Sequence, residues 1–142
     1  MEGGRRIDTA DILAKVKANP LLAGVTFSGG EPFLQPAPLA ALARAVHALG
    51  LDVLAEAHDA EEVARLAALG LRVIGVNARN LRTFATDLSG VRALLAQIPE
   101  PCLAVAESAI TSRADMAQVG ARRFLIGEAL MRRPELLPEL LA

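Results

Sequence analysis

Three times along the chain a helix-type stretch stops at a glycine and a β-type run starts within a residue or two: HALGLDV at Gly50, AALGLRV at Gly70 and AQVGARRF at Gly120. Glycine takes the left-handed conformation that ends a helix without steric cost, so each of these is a helix stop joined to a strand start. A unit that recurs in this way is a βα repeat. It dictates parallel strands joined by right-handed helical crossovers.

The strand candidates are GVTFS, LDVLAEA, LRVIGVN, CLAVAES and RRFLIG, each short and apolar enough for a buried parallel strand. Between them the period changes to that of a helix. Leu39, Leu42, Val46 and Leu49 share one face, Leu88, Val91, Leu94, Leu95 and Ile98 another, and Leu136, Leu137, Leu140 and Leu141 close the chain. Asp59 followed by Glu62, and Thr111 ahead of SRAD, mark helix starts. A leading helix over about Thr9 to Ala18 precedes five strand-helix units, and no linker divides them, so residues 1–142 read as a single domain.

An eight-stranded β/α barrel takes roughly 200 to 250 residues or more, and this chain has 142. The expected fold is therefore α/β with about five parallel strands in sequential order, a partial barrel with helices mostly on its outer side. The alternative is a flavodoxin-like open sheet, doubly wound with helices on both faces. A cut barrel leaves two edges and an apolar inner face open, which predicts a homo-oligomer through that face or those edges.

Composition narrows the partners. Hydrophobic residues make up 53% and the net charge is −1, so there is a core but no basic field for nucleic acid or anionic lipid. Cys102 is the only cysteine, which excludes an intrachain disulfide, a multi-cysteine zinc site and an iron-sulfur cluster held by one chain. No apolar run approaches the 18 residues of a membrane span and MEGGRRIDTADI has no signal-peptide apolar region, so a cytoplasmic protein is expected. His47 reads as a mid-helix surface or edge residue and His58 as part of a helix start, with no second ligand spaced for a metal.

In βα folds the chemistry sits in the loops after the strands. Here these are SGGEP, EAHD, NARNLRTF, ESAITS and GEALMRRP. The last four, over about residues 51–141, resemble strands five to eight of indole-3-glycerol phosphate synthase, an eight-stranded barrel lyase of tryptophan biosynthesis. NARNLRTF is similar to the family's N-N-R-N-L-x-T-F, VAESAI to V-S/A-E-S-G-I, and FLIGEALMRRP to F-L-V-G-E-S-L-M-R. The resemblance implies that Glu56 is the carboxylate serving as proton acceptor or stabiliser in ring closure. It makes Asn77 the amide that orients the substrate, and places Glu107 and Ser108 at a strand end. The turn at Ala109 and the backbone of Gly127 and Glu128 would hold a phosphate or sulfate weakly, with Arg79 near the ligand.

The first fifty residues resemble something else. NPLLAGVTFSGGEPFLQ is similar to the radical S-adenosylmethionine activating enzyme of anaerobic ribonucleotide reductase, whose G-G-E-P turn meets the methionine end of the cofactor. That resemblance implies vestigial cofactor contacts at Gly29, Gly30, Glu31 and Pro32. The family's three-cysteine cluster motif is absent from the chain, so no cofactor is expected. Two resemblances meeting within LARAVHALGLDVLAEAHD imply a chimera, engineered or recombinant, of a 1–50 and a 51–142 segment.

The lyase reaction needs a general acid to remove a hydroxyl, and in the family that work belongs to lysines on the first and third strands. Lys15 and Lys17 lie instead on the leading helix, and Ala109 and Ala129 replace the motif's glycine and serine. The expected function is thus a catalytically incomplete barrel fragment, a folding and assembly scaffold. The alternative is a lyase active only when the missing strands are supplied in trans.

Overall fold

A computed structural model describes residues 7–27, 36–78 and 86–142. Seven helices and five strands alternate in these segments. In chain order they are α1 (Thr9–Ala18), β1 (Gly24–Phe27), α2 (Pro36–Ala48), β2 (Asp52–Ala57), α3 (Ala60–Ala68), β3 (Val73–Asn77), α4 (Leu88–Leu95), β4 (Leu103–Glu107), α5 (Arg113–Val119), β5 (Phe124–Leu125), α6 (Glu128–Arg132) and α7 (Leu136–Leu141). The leading helix and all five strands lie where the periodicity places them.

The strands form one parallel sheet in the order β1-β2-β3-β4-β5. Sequential order means that every crossover turns the same way and carries its helix to the same face. A flavodoxin-like sheet requires the order to reverse at a switch point, so that alternative is excluded. The fold is a curled half-barrel.

Its outer layer is where the core sits. Val53, Ala55, Ala57 and Ile74 are 0–1% exposed and pack with Leu42, Val46, Val63 and Leu66 of α2 and α3. Further along, Val76 and Ala106 pack with Val91 of α4, Ile110 and Val119. The alternate residues, Leu54, Val73, Leu103 and Val105, point to the concave face because successive side chains on a strand alternate. Of these, Val105 is buried while Leu103 remains 41% exposed.

Local chemistry sets the helix ends. At Gly50 and Gly70, with φ of 75° and 77°, two paired hydrogen bonds close the helix: Gly70 N–H to the Ala67 carbonyl at 3.0 Å and Leu71 N–H to Leu66 at 3.3 Å, repeated as Gly50 to His47 and Leu51 to Val46. The second bond turns the chain straight into the next strand and buries Leu71 beside Leu66. At the amino ends, the Asp59 carboxylate accepts from Glu62 N–H at 2.8 Å and Glu62 accepts from His58 N–H at 2.7 Å.

Three expectations are corrected. The cap of α5 is Ser112, which accepts from Asp115 N–H at 3.2 Å, while Thr111 supplies both its N–H and its hydroxyl to the Asp115 carboxylate at 2.8 Å. The helical faces are narrower than the leucine pattern suggests. Val46 is buried but Leu49 is past the helix end and 37% exposed, and in α7 Leu136 and Leu140 are buried while Leu137 and Leu141 face out. His47 is half-buried, with Nε2 shut from solvent and without a partner among the described residues, because it stands one turn from Ala43 and two from Ala40 on the packed face.

Candidate active site

At the carboxyl ends of the strands, a cavity of about 570 Å³ is lined by Glu56, Asn77, Glu107, Ser108, Ala109, Thr111, Leu125, Gly127, Glu128, Ala129 and Arg132, among others. The strand register explains the grouping. Glu56 of β2 is level with Gly75 of β3, and Asn77 is level with Glu107 of β4, so all four point to the concave face within one step of each other. Ser108 follows at the end of β4, and Ala78 N–H bonds the Glu107 carbonyl at 2.8 Å to hold the two strand ends in line.

The sequence-derived residues Glu56, Asn77, Glu107, Ser108, Ala109, Gly127 and Glu128 are thus brought to one place. Arg79 lies outside the described residues, as do Gly29, Gly30, Glu31 and Pro32. Sequence reasoning missed Arg132, which enters the cavity from α6 and pairs with Glu128 at 3.0 Å. Its i, i+4 spacing from Glu128 was the available signal. Among the described residues no group of three or more His, Cys, Asp or Glu side chains could hold a metal ion.

Glu107 dominates the electrostatics. It is 2% exposed, the only buried charged residue among those described, and its Oε1 has no hydrogen-bond partner among them. Burial, the nearby Glu56 charge and a hydrogen-bonding contribution from Glu56 together raise its pKa from 4.5 to about 7. At neutral pH the carboxyl is therefore poised between a proton donor and an anion.

The turn after β4 is strained. Ser108 and Ala109 have φ of 65° and 54°, the left-handed region that a Cβ disfavours by about 1–2 kcal/mol per residue. The resemblance places a glycine at position 109, and the backbone keeps that glycine's conformation with an alanine in it. Gly127 shows the opposite: a Cβ there meets nothing within 4 Å, so the position is open space beside the cavity. Helix α6 behind it has only five residues, and Glu128 in its first turn puts a negative charge where an anion would bind.

Two outcomes follow from this geometry. For a carboxyl whose pKa is higher folded than unfolded, the fold binds the extra proton between pH 4.5 and about 7, so stability falls as pH rises through that window. Glu107→Gln should remove this slope, with urea unfolding at about pH 8 showing a gain approaching 3 kcal/mol over the wild type and little gain near pH 4.5. Ala109→Gly should stabilise the chain by about 1 kcal/mol in the same assay, the relief of strain exceeding the added unfolded-state entropy.

Comparison with known proteins bears on this site. Among solved structures, the YdjI aldolase from Escherichia coli K12 superposes with a TM-score of 0.64 at 17% identity, covering 92% of this chain and 52% of that one. FabK (M276A mutant) from Thermotoga maritima gives 0.62 at 14% identity, over 87% and 39%. At such identities they share the fold alone. Curated relatives are nearer. Indole-3-glycerol phosphate synthases from Azospirillum brasilense and Rhodospirillum rubrum are each 50% identical, over 91 and 93 residues, 62% and 63% of this chain and 35% of theirs. The chain thus matches about a third of the length of those relatives. The family profile for indole-3-glycerol phosphate synthase matches residues 32–140, starting upstream of the expected boundary near residue 51 and taking in α2. The chain belongs to the indole-3-glycerol phosphate synthase family.

Proposed function

We propose that the chain supplies the carboxyl-bearing part of an indole-3-glycerol phosphate synthase-type lyase site, and that turnover requires the remaining strands of the barrel. The observation that supports this reading is the convergence of Glu56, Asn77, Glu107 and Ser108 on one cavity at the strand ends. A partly buried carboxylate beside an amide suits the proton-accepting and substrate-orienting half of a ring closure, while the departure of the hydroxyl needs an acid from elsewhere. Glu56 takes the proton, Asn77 orients the substrate, and Glu107 and Ser108 line the far side. The general acid is still needed. Lys15 and Lys17 occupy the last turn of α1, away from the strand ends that line the cavity. Anion binding at Gly127 is weak, given the short α6 and the Glu128 carboxylate.

A second reading has its own support. Exposed apolar side chains occur near both ends of the sheet, Leu21 and Leu22 on the approach to β1 and Leu125, Met131, Leu137 and Leu141 from β5 onward, besides Ile7, Leu49 and Leu103 elsewhere. In a sequential parallel sheet, each unit docks on the next in the same manner, so the first edge is shaped to receive the last. A second copy of this chain, its β1 edge against β5, is the occupant this arrangement favours. In that state the chain is an assembly scaffold. The resemblance of residues 1–50 to a radical S-adenosylmethionine activase, and a chimeric origin, belong to the same reading.

Growth of a tryptophan auxotroph lacking the synthase separates the two. The lyase reading predicts no rescue by the chain alone and rescue when it is co-expressed with the amino-terminal strands of a relative. No rescue under either condition, with both pieces soluble, contradicts it.

A further inference from the structure

Gly75 stands in the middle strand of the sheet, where a glycine weakens pairing and contributes no packing. Its backbone gives no reason for the choice. Gly50, Gly70 and Gly120 have positive φ, whereas Gly75 does not. What explains it is space. A Cβ built at position 75 would overlap Glu107 Oε1 and stand 2.6 Å from Glu107 Cδ and 3.3 Å from Cγ, where real Cβ atoms essentially never come within 3.0 Å.

The register shows what passes through that space. Glu107 belongs to β4 and is level with Asn77, yet its carboxyl lies over Gly75, two residues back on β3. Gly75 is itself level with Glu56 of β2. The Glu107 side chain therefore leans diagonally across the central strand toward the β2 carboxylate. With any other residue at 75 the two acids would be held apart by a side chain standing between them.

We propose that Gly75 is a positioning residue, whose missing Cβ is the slot through which Glu107 crosses β3 to stand beside Glu56. The slot makes the acids neighbours: Glu107 is buried beside a second carboxyl, and burial together with that neighbour raises its pKa. The inference deepens the proposed lyase site and takes its catalytic meaning from it, but the slot itself needs no turnover and is tested on the chain as it stands.

The test is a double-mutant cycle with a pH titration. Gly75→Ala should lower the urea midpoint in the wild-type background and leave it unchanged or raise it when Glu107 is already alanine, because the clash is with that side chain and not with backbone. In parallel, the side-chain carboxyl carbons, labelled with 13C, are followed by NMR as pH is raised. The wild type should show one glutamate titrating near pH 7, assigned by its loss in Glu107→Gln, and in Gly75→Ala that titration should move down into the ordinary carboxylate range. If Gly75→Ala does not fold alone, Gly75→Ala combined with Glu107→Ser, whose side chain ends near the Cγ position 3.3 Å from the built Cβ, should recover a folded chain. Equal losses from Gly75→Ala in both backgrounds, or a neutral titration that survives in Gly75→Ala, would overturn the proposal. Failure of auxotroph rescue with these results intact would fault the lyase reading and leave the slot standing.

Discussion

The parallel hydrogen-bond ladder in sequential order is the constraint on which everything else rests. It fixes which residues of neighbouring strands are level: Glu56 with Gly75, Asn77 with Glu107. Because side chains alternate, a slip of one residue between β3 and β4 would turn Glu107 into the helix layer and leave an ionisable group in an apolar core. The apolar outer rows and the polar strand ends therefore enforce the same register. Fold and site are thus specified by one set of pairings.

The same ladder creates the molecule's unresolved demands. Both core clusters include residues of the sheet and of the helices between its strands, and Leu103 and Leu125 stay partly in water. A closed barrel fills this interior with layers of side chains. Among the described residues Glu107 is the buried charged group of that interior, and it is tolerated because it can hold a proton.

How much of this was legible in the sequence differs by element. The βα order and all five strands could be read because glycine stops and short apolar runs are local signals, as the paired bonds at Gly50 and Gly70 show. Glu56, Asn77, Glu107 and Ser108 could be read because strand-end loops carry recognisable motifs. The slot at Gly75 could not, since it depends on a diagonal between strands thirty residues apart, which no local pattern encodes. Arg132 was missed because its approach to the cavity depends on how the short α6 is set down after β5, and Leu137 and Leu141 were placed inward because a leucine pattern does not say which side of a terminal helix has something to pack on. The loops after β1 and β3 lie largely outside the described residues, and with them the GGEP turn and Arg79.

The central claim is that these five strands form an open half-barrel whose concave face and edges need covering. It is tested most directly by solution mass from light scattering across a dilution series, with urea unfolding followed at each concentration. The account predicts a mass about twice 14.9 kDa at the higher concentrations, and an unfolding midpoint that rises with concentration, as linkage to association requires. A chain that stays at 14.9 kDa throughout, unfolding cooperatively at a midpoint independent of concentration, would contradict it.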